Sequence, residues 1–463
     1  MSGGKEIDAV ADLTARIDRF NYWPWGYAPL VLVGLAYFFG LMDVLTIGVA
    51  SPAIPYSFGL PPSTAAEISA LGGTISLVGY LIGAVLYAHI ADVVGRRPAL
   101  LITLITYSVG SLWSALSPNL ASIYASRLLT GIGIGADLAV AAAYLSEMAP
   151  AKVRGKYQSL GTFFGFIGAG ITPFVGFALM SWNLTLGWRL LFVIGFLAAF
   201  LTIVVRRALP ESPRWLLAHG RINEARRIVE EMENRLRSAG KELPQYSVES
   251  VREEVTTKFP LRKLFTRPYV WRFALVLIVM IMYYFWIYPT MLELPSFLAA
   301  AGMPILTTLF AAGIAGFGFA VGPFVGYLVY DRMERKHAIA VAFLLGILGL
   351  VGMANSVLMH SIPLLILFYF ITDVANTWLA SGLYIYAAEN FPTEARSTGV
   401  AWTDGIGHIG SIISVMAIAP LAYMDYGLIG FFTVLAILAS VGGVVVLLGV
   451  RTTRRSLESI SPE

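Results

Sequence analysis

The stretch ADVVGRRPAL, residues 91–100, is a short charged break between two long apolar runs. A second break of the same kind, YDRMERKHAI, stands at residues 330–339. Asp92, Arg96 and Arg97 of the first match Asp331, Arg335 and Lys336 of the second. Another pair keeps the offset: SEMAPAKVRG at 146–155 and AENFPTEARS at 388–397 align Glu147, Pro150 and Arg154 with Glu389, Pro392 and Arg396. Each pair lies about 240 residues apart, so the chain is a duplicated unit. Repeated halves built from apolar segments point to a transporter with its binding site at midplane between them.

The apolar runs set the fold class. Of 463 residues, 57% are hydrophobic and only 13% charged, with a mean hydropathy of +0.74. A soluble domain carries about 25% charged residues, so a polytopic membrane protein is expected. A spanning helix needs about 20 mostly apolar residues. Twelve such stretches lie near 27–53, 66–90, 98–116, 119–149, 157–181, 188–206, 269–300, 304–330, 337–358, 361–388, 397–423 and 427–450. The short alternating segments of a closed barrel do not occur. The expected architecture is all-α, two pseudo-symmetric bundles of six spans at 27–206 and 269–450. They are joined by a polar linker, 207–268, whose RINEARRIVEEMENRLRSAG reads as short helices. A polar segment, 1–26, precedes the bundles, and a tail, 451–463, follows. Segment 1–26 lacks the basic-then-apolar layout of a cleaved leader, so the first apolar run is expected to stay as a span.

Charge orients the spans. Arg96, Arg97, Lys152, Arg154, Lys156, Arg332, Arg335, Lys336, Arg396, Arg451, Arg454 and Arg455 all fall on one side, with the linker. The opposite loops, such as 51–67, 299–304 and 424–427, contain no Lys or Arg, and Arg189 is the exception on that side. The positive-inside rule makes the basic side, with both termini, cytoplasmic in a multi-pass cell-membrane protein. The pI of 9.1 therefore reflects topology rather than a nucleic-acid partner. With no cysteine, disulfides and thiol chemistry are excluded. No metal-ligand cluster, nucleotide motif or nucleophile triad suggests an enzyme, a metal or a cofactor.

Over essentially its full length the chain resembles the major facilitator superfamily. The loop signature D-x-x-G-R-R is present as Asp92, Gly95, Arg96 and Arg97, with Ala88 and Val93 where the family has a glycine and a basic residue. RLLTGIGIG (127–135), SEMAPAKVRG, GWRLLF (187–192), PESPRWLL (210–217) and ENFPTEARSTG (389–399) are similar to the sugar-porter branch and its metabolite–proton symporter relatives. The resemblance implies two six-helix bundles that rock around a central site. It also implies a gate formed by Asp92, Gly95, Arg96, Arg97, Glu147, Arg154, Asp331, Arg335, Glu389 and Arg396, as against ordinary interfacial charge.

Ionisable residues at membrane depth are costly and mark function unless they serve structure. Asp43 lies about 12–15 Å from the outer end of the first span, and Arg127 lies at similar depth in the fourth, so the two can pair. In proton-coupled sugar porters a matching pair couples proton binding to transport, and the resemblance implies that role. A static structural pair is the alternative. Asp137 sits about 15 Å further inward. Phosphate–proton symporters carry an acid in a GGDYP stretch; here GADLA lacks the tyrosine and proline, and the eleventh span has no lysine. Phosphate is disfavoured and Asp137 reads as a second proton stop. Gly131 and Gly135 suit close helix approach. The second half offers substrate candidates: Tyr288 and Glu293 in YPTMLELPSF, Asp373, Asn376 and Trp378 in FITDVANTW, and Asp404 and His408 in AWTDGIGHIGSII. Asp404 and His408, four apart, share a helix face. His408 stands where related organic-cation transporters carry an acid, and a histidine titrates near neutrality; a hydrogen-bonded structural histidine is the plain reading. Tyr283, Tyr284, Trp286, Tyr384 and Trp402 are further aromatic candidates for stacking on a sugar or planar acid.

The expected function is proton-coupled symport of a small polar metabolite, a sugar or an organic acid, by a monomer. A drug or organic cation–proton antiporter is the alternative: the fifth-span GAGITPFVGF matches the antiporter stretch G-x-x-x-G-P-x-x-G-G only in part, with Thr172 in place of a glycine. A non-transporting sensor on the same fold is another, without the long tail or large loops common in such proteins. The partners are a small-molecule substrate, protons and the lipid bilayer.

Overall fold

The computed structural model describes residues 2–149, 154–248, 265–267, 269–330, 332–391 and 396–453, and among them every regular element is helical. Ten helical stretches are long and apolar enough to cross a membrane, and a shorter one runs Leu120–Gly135. The longest, Trp402–Leu447, divides at Gly427, whose φ of 63° and ψ of −157° turn the chain back. Twelve spans result.

The first half consists of Ala28–Ala50, Ala65–Val94, Arg96–Leu116, Leu120–Met148, Arg154–Trp182 and a sixth span made of Leu184–Phe196 and Ala198–Ala208. The second half opens with a seventh span, Tyr269–Tyr288 continued through Pro289–Glu293 to Leu294–Ala300. Then come Ile305–Gly316 with Gly318–Val329, Arg335–Leu358, Ile362–Asn390, and the eleventh and twelfth spans divided at Gly427. Asparagines start two spans after tight turns: Asn119 accepts from Ser122 N at 2.9 Å, and Asn183 from Thr185 N and Leu186 N at 3.0 and 2.9 Å. Within the seventh and eleventh spans, Pro289–Glu293 and Ser414–Ile418 are π turns, which widen a helix and are common at functional sites.

Small residues let the spans meet backbone to backbone. A side chain at Gly131 or Gly135 would strike the carbonyl oxygens of Ser76 and Tyr80. In return, Gly79 and Gly83 face the carbonyls of Leu128 and Ile132, so the second and fourth spans interlock. The duplicated half does the same with Gly318 and Gly322 against Phe370 and Val374. Between the halves, Gly170 and Gly316 each present a carbonyl oxygen to the other's α-carbon. On the side away from the basic loops, Gly48 lies against the Leu292 carbonyl, Ser51 Oγ meets Ser296 Oγ at 2.5 Å, and Ser69 Oγ donates to Leu292 O at 2.8 Å. Large apolar side chains such as Ile105, Phe200, Phe317 and Leu344 stay exposed, as lipid requires.

Two features depart from the sequence reading. Segment 1–26 contains a helix, Ser2–Asp18, which lies against the linker helix Ile222–Ser238. Val10, Leu13, Ile17 and Phe20 recur at helical spacing and pack with Val229, Met232 and Leu236, an amphipathic signal hidden by the mixed charge around it. Glu233, almost fully buried, takes Arg16 at 2.9 Å and Arg19 at 2.6 Å. Arg189, the charge on the wrong side, donates to the carbonyls of Ala115 and Ser117 at 2.7 and 2.9 Å and so satisfies the end of the third span.

Candidate functional site

Five spans of the first half converge on one buried ion pair. Arg127 Nη2 donates to Asp43 Oδ2 at 2.8 Å, and both side chains are fully buried. Ser111, from the third span, donates to the other carboxylate oxygen. Gly195, from the sixth, lies so close that a Cβ there would fall 2.6 Å from both Asp43 Oδ1 and Ser111 Oγ. Arg127 Nε donates to Ser76 Oγ at 3.2 Å, Phe192 lies under the guanidinium at 5.4 Å, and Nη1 has no acceptor among the described residues. Such a pair is dear to bury, and removing one member leaves a charge with nothing to balance it. Asp137 lies deeper toward the basic side, also fully buried. Thr103 donates to its Oδ1 at 2.8 Å, and its Oδ2 has no donor among the described residues. Thr103 and Ser111 are about 12 Å apart along the third span. That span thus supplies a hydroxyl to each acid, a role the sequence reading missed although both lie on the buried face of that helix.

The second half presents aromatic hydroxyls instead of a cation. Asp404 Oδ1 accepts from Tyr284 OH at 2.5 Å and Tyr384 OH at 2.7 Å, which brings the seventh, tenth and eleventh spans together. His408 Nδ1 lies 2.9 Å from the Asp404 carbonyl oxygen and Nε2 lies 3.2 Å from Tyr288 OH. A carbonyl only accepts, so the proton of the neutral ring sits on Nδ1 and Nε2 receives the Tyr288 hydroxyl. The imidazole is stacked between Tyr284 at 3.9 Å and Tyr80 of the second span at 4.8 Å. It is therefore a contact between the halves. A small cavity lies between this cluster and the ion pair, lined by Ser76, Tyr80, Arg127, Gly131, Tyr288 and Leu292 among others.

The remaining substrate candidates do not join this group. Asp373 sits at the packing surface of the eighth and tenth spans, its Cβ facing Gly318. Trp378 packs beside Gly326 on the same surface. Asn376 Oδ1 accepts from Tyr283 OH at 3.1 Å, within the second half. Glu293 is buried in the π turn next to Leu292, and neither carboxylate oxygen has a donor among the described residues. Trp286 fills the space left by Gly346, and Trp402 is 40% exposed beside Phe265.

At the basic side, among the described residues, gate candidates pair within each half. Arg96 Nη2 meets Glu147 Oε1 at 2.8 Å, and Arg335 Nε meets Glu389 Oε1 at 3.3 Å. Sequence reading missed Glu211, which accepts from the backbone nitrogens of Arg96 and Arg97 at 3.0 and 3.3 Å and so caps the third span. Gly95 makes this possible: its φ is 109°, and a side chain there would strike the Glu211 carboxylate. Burial pushes the Glu211 carboxyl up, against hydrogen bonds from Ser212, Arg97 and Arg96 that favour its charge. In the second half the matching acceptor is Thr453 Oγ1, which takes Arg335 N at 2.8 Å, while Glu334 accepts from Thr452 N at 2.9 Å. Asp331 lies outside the described residues, as do the side chains of Asp92, Arg154 and Arg396.

Comparison with known proteins agrees with this architecture. Residues 31–463 match the family described as "Sugar (and other) transporter". A putative metabolite transport protein of Bacillus subtilis is 31% identical over 414 residues, 88% of each chain. A niacin transporter of Acinetobacter baylyi is 28% identical, covering 97% of this chain and 99% of its own. A gallate transporter of Pseudomonas putida is 29% identical over 95% of both. Among solved structures, a D-xylose-proton symporter superposes with a TM-score of 0.71 at 18% identity, covering 93% of this chain and 99% of that one.

Proposed function

The chain belongs to the sugar (and other) transporter family of membrane transporters, and on that premise we propose that it is a proton-coupled symporter of a small polar metabolite. The names of the niacin and gallate relatives favour an organic acid over a sugar. The observation that carries the reading is the Asp43–Arg127 pair, fully buried and surrounded by five spans beside the junction of the halves. While Arg127 is in contact, Asp43 keeps its charge without a proton. Once a rocking motion parts them, a buried carboxylate with no cation among its described neighbours is held as the neutral acid, so a proton boards. Asp137, with Thr103, is the next stop toward the basic side. Asp404, His408 and Tyr288, on the second half, face the substrate. The networks of Arg96 with Glu147 and Arg335 with Glu389 form the gate on the basic side, which is cytoplasmic by the positive-inside rule.

The test uses purified protein in liposomes with an internal pH dye, given sugars, hydroxy acids, aromatic acids and amines in turn, with protein-free liposomes as the control for passive acid entry. Internal acidification with one substrate, lost in Asp43→Asn, is expected. Substrate entry without a pH change would sink the coupling reading, and alkalinisation would replace symport by antiport.

A further inference from the structure

We propose that Arg127 is also the anchor for substrate, holding the carboxylate of a small aromatic acid in direct exchange with Asp43. The inference rests on the coupling role proposed above for that pair. An arginine carries five N–H donors in a planar fork that matches a carboxylate. Here Nε is spent on Ser76 and Nη2 on Asp43, whereas Nη1 is buried with no acceptor among the described residues. A buried donor left unpaired is costly, so an anion arriving there gains more than one arriving at an already paired cation.

Arg127 also lines the cavity between the halves. The lining also includes Tyr80 and Tyr288, one from each half, and both touch His408. A planar ring whose carboxylate lies on Arg127 would rest between two tyrosines. As it stands the cavity is about 10 Å³, room for one water, so a ring enters only when Tyr80 and Tyr288 part. Entry is thereby tied to the motion of the halves.

The exchange accounts for the proton. Before binding, Asp43 is negative and Arg127 positive. When the substrate carboxylate takes Arg127, Asp43 loses its counter-charge and binds a proton from water. One anion and one proton have entered, and the site keeps zero net charge. The other titratable groups facing the cavity are Tyr80 and Tyr288, with His408 and Asp404 behind them.

Isothermal calorimetry on the purified full chain, with benzoate and benzamide as probes and buffers of different ionisation enthalpy, tests the assignment. Benzoate is expected to bind at least about tenfold more tightly than benzamide, a gap of about 1.4 kcal/mol, with about one proton taken up per benzoate at neutral pH. Asp43→Asn is expected to tighten benzoate and abolish the proton uptake; Arg127→Gln is expected to lose binding. Equal affinity for benzoate and benzamide would overturn the proposal. So would weaker benzoate binding in Asp43→Asn, a readout that stands even where Arg127→Gln fails to fold. Should Asp43→Asn lose pH-driven uptake in liposomes while its benzoate affinity is unchanged, the exchange falls and the coupling reading survives. Intact pH-driven uptake in Asp43→Asn would remove both.

Discussion

The two halves share a plan and differ in chemistry. In each, the second and fourth members of the bundle interlock through glycines, and an Arg–Glu pair sits at the basic end. At mid-depth they part. The first half holds a full ion pair, Asp43 with Arg127, supplied with a hydroxyl by Ser111. The second holds Asp404 under two tyrosine hydroxyls, with His408 stacked across to Tyr80. The halves share a frame, with a buried ion pair in one and an aromatic, hydroxyl-bearing cluster in the other.

The largest break in this comparison comes from Arg127→Ala. It strands a buried carboxylate and is expected to cost about 3–5 kcal/mol, visible as a sharp fall in thermal stability of the purified protein. Asp43→Asn with Arg127→Gln removes both charges and should recover most of that loss. A recovery of nothing would mean that the arginine acts through packing. Next in size are Gly131→Leu and Gly322→Leu, which force a side chain into matching helix crossings of the two halves. Each is expected to cost about 1–3 kcal/mol. A large difference between them in urea or thermal unfolding would show that the halves are not mechanically equivalent. Tyr384→Phe removes one of two donors to Asp404 and is expected to cost about 1 kcal/mol. Its transport defect should be much milder than that of Asp43→Asn; an equal defect would erase the division of labour.

The smallest effect lies outside both bundles. Burial alone would push the Glu233 carboxyl up, but hydrogen bonds and charge from Arg16 and Arg19 hold it below the ordinary carboxylate range. A depressed carboxylate stabilises docking fully above its unfolded value and loses that contribution as pH falls through the folded value. Docking of helix Ser2–Asp18 should hold at neutral pH and weaken below about pH 4. Limited proteolysis of the N-terminal segment across that range reads it directly, and Glu233→Gln should remove the pH dependence.

The fold was legible because its signals are long: apolar runs of spanning length, basic residues on one side and a repeat of matched loops. Asp43 and Arg127 were legible too, as charges in apolar runs at equal depth. What escaped notice depends on neighbours distant in sequence. Nothing local in PESPRWLL says that Glu211 will cap the helix beginning at Arg96. The hydroxyls of Thr103 and Ser111 look like any others in an apolar helix until the first and fourth spans close over them. Asp373 and Trp378 stood out as a charge and an aromatic in an apolar run, yet rotation about the tenth span turns them toward the eighth.

The contacts on the side away from the basic loops have a thermal consequence. Beside an apolar cluster that includes Ile47, Ile68, Leu292 and Val415, that closure has Ser51 on Ser296, Ser69 on a carbonyl, and glycine against backbone, with no charge pair among its described members. Each such bond contributes about 0.5–1.5 kcal/mol, because water replaces it when it breaks. The polar part of the seal is thus soft: wetting restores what is lost when it opens, and no ion must be stripped of its hydration when it closes again.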